Sequence, residues 1–217
     1  MKRLTPEDWQ EALVASGVRT MAALDWRDAF AAEWQPDMFS QGMDDILDLL
    51  PQVLHETRML QNLEESTRYS PERIREIGRA SPEGSRWRSL VPRADALAYN
   101  PKAIAEACYG GRNGNRPEGS GDGWMFRGQG PIQFTGRRTF ELLEKLSERD
   151  VYQDFTVNPH IVQQKHFGLR YTRLWWEGTI PDAVLGDQVQ VRRRVNGGRI
   201  GLEHCLKLAD DCRRAFA

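Results

Sequence analysis

The sequence predicts a mainly α-helical fold, and three observations carry that prediction. Apolar residues recur at helical spacing along most of the chain. Two of the periodic stretches open on a cap residue followed by proline. Strand signals, in the form of alternating apolar residues between turns, are few. The chain has 217 residues, 40% hydrophobic and 28% charged, which is enough for one large domain with a sizeable core, or one domain with two lobes.

Residues 5–34 read as one or two amphipathic helices. Thr5 is an N-cap, Pro6 suits the first helical position, and Glu7 and Asp8 put acids in the first turn. A turn at Gln35-Pro36-Asp37 leads to a second helix, about 43–59. Its apolar positions (Ile46, Leu47, Leu49, Leu50, Val53, Leu54) go most of the way round, which predicts a central helix. Pro51 should kink it or divide it in two. Ser70-Pro71-Glu72-Arg73 opens a short helix to about residue 77, and residues 93–108 read as another, with Leu97, Ile104 and Ala107 facing inward. Residues 109–130, "YGGRNGNRPEGSGDGWMFRGQG", hold eight glycines in 22 positions and predict an irregular loop. A loop this long inside a compact domain is usually functional. Short extended segments are expected at 124–126 and 132–134. Helices then resume at 137–147, 160–176, 182–194 and 199–215, with Trp175 and Trp176 in the core.

The charges nearly cancel, 30 basic against 31 acidic, so no global charge points to nucleic acid. Arg137-Arg138 and Arg192-Arg193-Arg194 are read as solvated surface, with affinity for an anionic polymer as the other option. The first residues include two basic side chains but no apolar run. No stretch approaches the roughly 18–20 apolar residues of a membrane span. The expectation is therefore a protein without a signal peptide or stable membrane insertion, present first in the cytoplasm. Cys108, Cys205 and Cys212 form no CxxC pair, and the last two stand two turns apart on one expected helix. Free buried thiols follow, suited to a reducing compartment.

Several chemistries drop out. His55-Glu56 does not open an HExxH motif, because Met59 stands where the second histidine should be. His160, His166 and His204 have no ligand spacing, Gly128-Gln129-Gly130 lacks the third glycine of a dinucleotide loop, and no GxSxG elbow occurs. No metal and no cofactor are expected. Carboxylates remain. Glu56 ends an apolar helix, where burial and the negative end of the helix dipole would both raise its pKa, as a general acid requires. The competing reading is a cap or an ion pair with Arg58 or Arg73. Glu65 lies in a polar stretch beside Ser66 and Thr67 and is expected to stay ionised. Two carboxylates whose environments separate their pKa values suit glycoside hydrolysis.

Five motifs then occur in order: "HET", "LEESTRYSPERI", "YGGRNGN", "GDGWMFRGQGPIQFTGRRTF" and "VRRRVNGG". Together they resemble glycoside hydrolase family 19, the plant-type chitinases and bacteriophage endolysins, over about residues 45–215. Residues 1–44 match only as a helical lead-in to a single catalytic domain spanning 1–217. The resemblance implies a lysozyme-like fold with two helical lobes flanking a substrate cleft. It matches Glu56 to the general acid and Glu65, in preference to Glu64, to the second carboxylate. Gln133 and Thr135 match cleft positions, with Thr135 orienting the attacking water, and Asn196 matches a substrate-binding asparagine. Tyr109, Trp124 and Phe126 flank the loop as candidate sugar platforms, although each is equally readable as core. Gln129 departs from the family, whose phage members commonly carry a basic residue there. The stretch between "GN" and "GDGW" is also longer than in the phage type.

The position of Glu65 follows the phage spacing, which favours cell-wall glycan over chitin and so a lysozyme-type endolysin acting on peptidoglycan glycan strands; inversion is what the family resemblance implies. Such an enzyme is expected to be a monomer that leaves the host cytoplasm through a separate membrane-permeabilising protein. A chitinase, a toxin delivered into competing bacteria and a non-catalytic wall-binding module are the alternatives.

Overall fold

A computed structural model describes residues 3–217. Its twelve α-helices are α1 (Pro6–Ala15), α2 (Thr20–Glu33), α3 (Met43–Glu56), α4 (Pro71–Ala80), α5 (Arg86–Ser89), α6 (Ala94–Leu97), α7 (Pro101–Tyr109), α8 (Asp122–Met125), α9 (Arg137–Ser147), α10 (Lys165–Thr179), α11 (Gln188–Asn196) and α12 (Leu202–Ala215). The chain is mainly helical, as expected. Thr5 closes a capping box with Asp8, and Ser70 caps α4 through the Arg73 N–H.

Two apolar clusters organise the molecule. The larger surrounds α3, whose Ile46, Leu49, Leu50, Val53 and Leu54 are fully buried. Trp9 stacks on Phe30 with ring centroids 4.7 Å apart, and Trp34 donates its indole N–H to the Leu169 carbonyl at 2.9 Å. The first two helices are thus built into this core. The smaller cluster, Ile74, Leu90, Ala94, Leu97, Ile104, Ala107 and Cys108, is supplied by the segment from α4 to α7. Cys108, Cys205 and Cys212 are free and buried.

Four local expectations need correcting. Helix α3 runs on through Pro51 and stops at Glu56. The single helix expected over 93–108 is broken before Pro101, where the Asn100 side chain caps α7 through the Ala103 N–H. Residues 124–126 are helical or follow a helical turn, because α8 lies inside the glycine-rich stretch. Among the described residues, extended pairing is limited to two isolated antiparallel bridges, Glu64 with Gln129 and Gln129 with Phe134. Those bridges matter, because they lay the loop of 128–134 over residues 63–65.

Candidate active site

An open cleft of about 570 Å³ lies between the two apolar clusters, and Glu56, Glu65, Tyr109, Gln133, Thr135 and Asn196 all line it. Glu56 is the last residue of α3. The Thr57 hydroxyl fixes that helix end by donating to the Val53 carbonyl at 2.6 Å and accepting the Leu60 N–H at 2.9 Å. Arg58, Met59 and Leu60 follow with φ of 50°, 61° and 65°, three consecutive non-glycine residues in the left-handed region.

The partner of Glu56 is neither Arg58 nor Arg73. Arg192 Nη1 donates to Glu56 Oε1 at 2.5 Å. The same guanidinium donates to Gln52 Oε1 at 3.2 Å and to the Ile200 carbonyl at 2.8 Å. Arg192 is buried, which corrects the reading of its arginine run as surface; Arg193 and Arg194 are the exposed members. Arg192 thereby gives Glu56 a buried, charged partner that the sequence did not single out.

Glu65 also departs from expectation. Its N–H donates to the Gly128 carbonyl at 2.9 Å, which carries the side chain under the 128–134 loop. Burial there pushes its carboxyl above the ordinary glutamate range, while the Tyr109 hydroxyl, donating at 2.6 Å, and the Gly128 backbone pull the other way. Burial, and then the nearby Glu65 charge, raise the Tyr109 phenol well above its usual value. Glu64 is separated from its neighbour by pairing with Arg127, whose guanidinium lies 3.6 Å over the Trp124 ring.

Gly128 lies between Gln133 and Glu65: a Cβ there would stand 2.8 Å from Gln133 Oε1 and 3.4 Å from Glu65 Cβ. Gln133 has φ of 55° and donates its amide to the Gly130 carbonyl at 3.2 Å. The Thr135 hydroxyl donates to the Gln133 carbonyl at 2.9 Å, leaving its lone pairs able to accept from a water. Asn196 ends α11, and Gly197 takes the left-handed position after it, with φ of 72°.

Trp124 is not on this cleft. It borders a smaller hollow alongside Glu64, Glu65 and Arg68. Phe126 is core. Trp175, expected in the core, lines the cleft edge-on to Phe134, whereas Trp176 is buried and donates to Asp45 at 2.7 Å. Gln129 does not face the cleft either; it is fully buried, donating to the Met125 carbonyl and accepting from Gln163, both at 2.8 Å.

Two buried carboxylates hold the glycine-rich stretch. Glu106 accepts the backbone N–H groups of Gly119, Gly121 and Trp124 at 2.9, 3.1 and 2.7 Å. Asp122 accepts from Arg137 and Arg116, which hold its carboxyl far below the usual aspartate range, Arg137 foremost. Arg137 is therefore an internal strut rather than a free surface charge. Among the described residues no group of three or more His, Cys, Asp or Glu side chains could hold a metal ion, and no helix is long and apolar enough to cross a membrane.

The chain as a whole is similar to known proteins. A glycosyl hydrolase family 19 domain-containing protein of Haemophilus influenzae is 34% identical over 108 residues. The likeness is to glycoside hydrolase family 19. The match takes in 50% of this chain and 51% of the relative, so the chain spans about half the length of the curated relative it matches. No family model matches. In shape, a mutant chitinase C superposes with a TM-score of 0.52 at 11% identity, covering 98% of this chain and 92% of its own. The family-19-like chain shares that fold. A second chitinase C, from Streptomyces griseus HUT6037, covers 100% of this chain and 71% of its own at 13% identity, with a TM-score of only 0.44.

Proposed function

We propose that the protein is a glycoside hydrolase of cell-wall or chitin-type glycans, and that its preferred substrate is the β-1,4-linked glycan strand of peptidoglycan. The observation that carries this reading is the placement of Glu56 and Glu65 on one open cleft with Gln133, Thr135 and Asn196. An open cleft with a predominantly polar lining suits a sugar polymer better than a small apolar metabolite. Glu56 protonates the glycosidic oxygen as the C–O bond breaks, and Glu65 takes a proton from water attacking the opposite face of the sugar, inverting the anomeric centre. A raised pKa makes Glu65 the stronger base wherever it is ionised. Thr135 accepts from that water, and Asn196 binds the sugar. The enzyme acts as a monomer on the wall, after release from the cytoplasm through a lesion made by another protein; the phage-like spacing of Glu65 supports this endolysin role.

A second assignment has specific support. Arg192 on Glu56 and the burial of Glu65 together favour exchanged roles, with Glu65 as acid. Aryl glycosides separate the two. Loss of the acid spares a substrate with a good leaving group, whereas loss of the base does not.

The function itself is tested by digesting purified peptidoglycan beside chitin oligomers, then reducing the products with borohydride for mass spectrometry. Reduced muramic-acid ends are the expected result. Reduced glucosamine ends would keep the wall-lytic role and move the bond, and chitin cleavage alone would overturn the preference for peptidoglycan. Glu56→Gln should abolish turnover in a protein that still folds, with a lowered Tm because Arg192 loses its charge partner; full activity in that variant would overturn the site.

A further inference from the structure

Arg58 stands two residues beyond Glu56 on the cleft wall, at the first of the three left-handed positions 58–60. A Cβ is disfavoured in that conformation and glycine is not. The turn is held by Thr57, whose carbonyl also accepts the N–H groups of Gln61 and Asn62 at 3.0 and 2.8 Å. The chain therefore keeps an arginine where the backbone would be more relaxed with glycine, and packing cannot be the reason, because the side chain is exposed.

The charges of the cleft supply a reason. Its three glutamates already have partners: Glu56 has Arg192, Glu64 has Arg127, and Glu65 has Tyr109. Among the described residues lining the cleft, Arg58 is the one cation, and its guanidinium makes no ion pair or side-chain hydrogen bond within the protein. Its charge reaches the Tyr69 phenol, which lines the same cleft and packs against the smaller apolar cluster. A free guanidinium in a polymer groove is a carboxylate receptor, since its fork matches two oxygens at once.

The geometry points to Arg58 as a specificity residue that takes a carboxylate carried by the glycan, so that the cleft prefers acidic amino-sugar strands to neutral ones. The inference rests on the glycosidase reading above and narrows its substrate. Two carboxylates of a wall glycan qualify, the lactyl group of muramic acid and those of its peptide stem.

Steady-state kinetics on three soluble substrates test it: neutral N-acetylglucosamine oligomers, glycan strands stripped of peptide, and strands bearing their stems. Arg58→Gly should raise KM about tenfold on an acidic strand, the size expected of a partly exposed charge-assisted contact, and leave the neutral oligomers unchanged. Its Tm should not fall, because strain relief offsets the entropy of glycine. Arg58→Gln, which keeps the length and removes the charge, should show the same split, and added salt should shrink the wild-type preference. Loss on stripped strands assigns the lactyl carboxylate, and loss confined to stem-bearing strands assigns the peptide. Equal loss on all three substrates, or no loss on any, overturns the inference alone. A wild-type enzyme that cleaves none of them overturns the glycosidase reading, and this inference with it.

Discussion

Tyr109, at the end of α7, donates its hydroxyl to Glu65 Oε2 at 2.6 Å, tying the smaller lobe to the carboxylate assigned to activate water. The bond favours the charged form of a group that burial pushes toward its neutral form. Tyr109→Phe removes this opposition, so the Glu65 pKa must rise further. If Glu65 works as a base, the acidic limb of the kcat/KM profile moves to higher pH while the alkaline limb stays. A stationary acidic limb would remove Glu65 from that role. Stability shifts in the same sense. Folding raises this pKa, so the native state holds more protons than the unfolded chain above the ordinary glutamate range. The contribution is full below that range and is lost as pH rises through the raised value. Urea titrations of both proteins across weakly acidic pH should show the variant losing stability over a wider interval.

Asp122 carries the opposite sign. Arg137 and Arg116 lower its pKa, so the stability it contributes is present above the ordinary aspartate range and is lost as pH falls through the depressed value. Asp122→Asn keeps the shape and removes the charge from a buried carboxylate with two guanidinium partners. We expect a loss of about 2–3 kcal/mol near neutrality, and a weaker dependence of stability on acid. Urea unfolding at pH 7 and at pH 3 measures both.

Much of the scaffold is legible in the sequence because it is encoded locally. Thr5-Pro6 and Ser70-Pro71 mark true helix starts, and 137–147 forms the helix its spacing predicts. Asn100-Pro101 is the same kind of signal, and it breaks the helix read over 93–108. Arg192 was also within reach: Gln188, Val191, Arg192 and Val195 recur at the spacing of one helix face, so only one of the three adjacent arginines can point inward. Glu65 was not. Its burial comes from residues 128–134, more than sixty positions away, lying over it through a single bridge at Glu64. No local pattern reports that. Glu106 is hidden for a different reason, since its neighbours from Ile104 to Cys108 are all buried and no polar face singles it out.

Arg192 binds three acceptors, Glu56, Gln52 and the Ile200 carbonyl, and so couples α3 to the chain between α11 and α12. Arg192→Ala would leave the Glu56 carboxylate without its charge partner, the Ile200 carbonyl without this donor, and Gln52 Oε1 with only the weak Cys205 thiol. We expect about 3 kcal/mol of destabilisation and at least about a hundredfold loss of kcat. Arg192→Lys should recover more of the stability than of the activity, because a single ammonium cannot reproduce the planar fork. Chemical unfolding and turnover on soluble glycan strands separate the two effects, and a lysine variant with full turnover would reduce Arg192 to a neutralising charge.

Gly128 tests whether the cleft is built to a close tolerance. A methyl group there would stand 2.8 Å from Gln133 Oε1 and 3.5 Å from Glu65 Oε2. The first distance is too short to persist, and the atom that must yield is the end of a side chain. Gly128→Ala should therefore fold, at a cost near or below about 1 kcal/mol, while displacing the Gln133 amide from the Gly130 carbonyl that holds it. Because Thr135 donates to the Gln133 carbonyl, the disturbance can pass on to the residue assigned to the attacking water. A displacement of this size at the reacting centre should lower kcat about tenfold or more with little change in Tm. Gly128→Ala with Gln133→Ala separates crowding from the loss of Gln133 itself. If crowding acts through that side chain, the double variant will be no slower than Gln133→Ala alone, and a further loss would place the effect of the methyl on Glu65 instead.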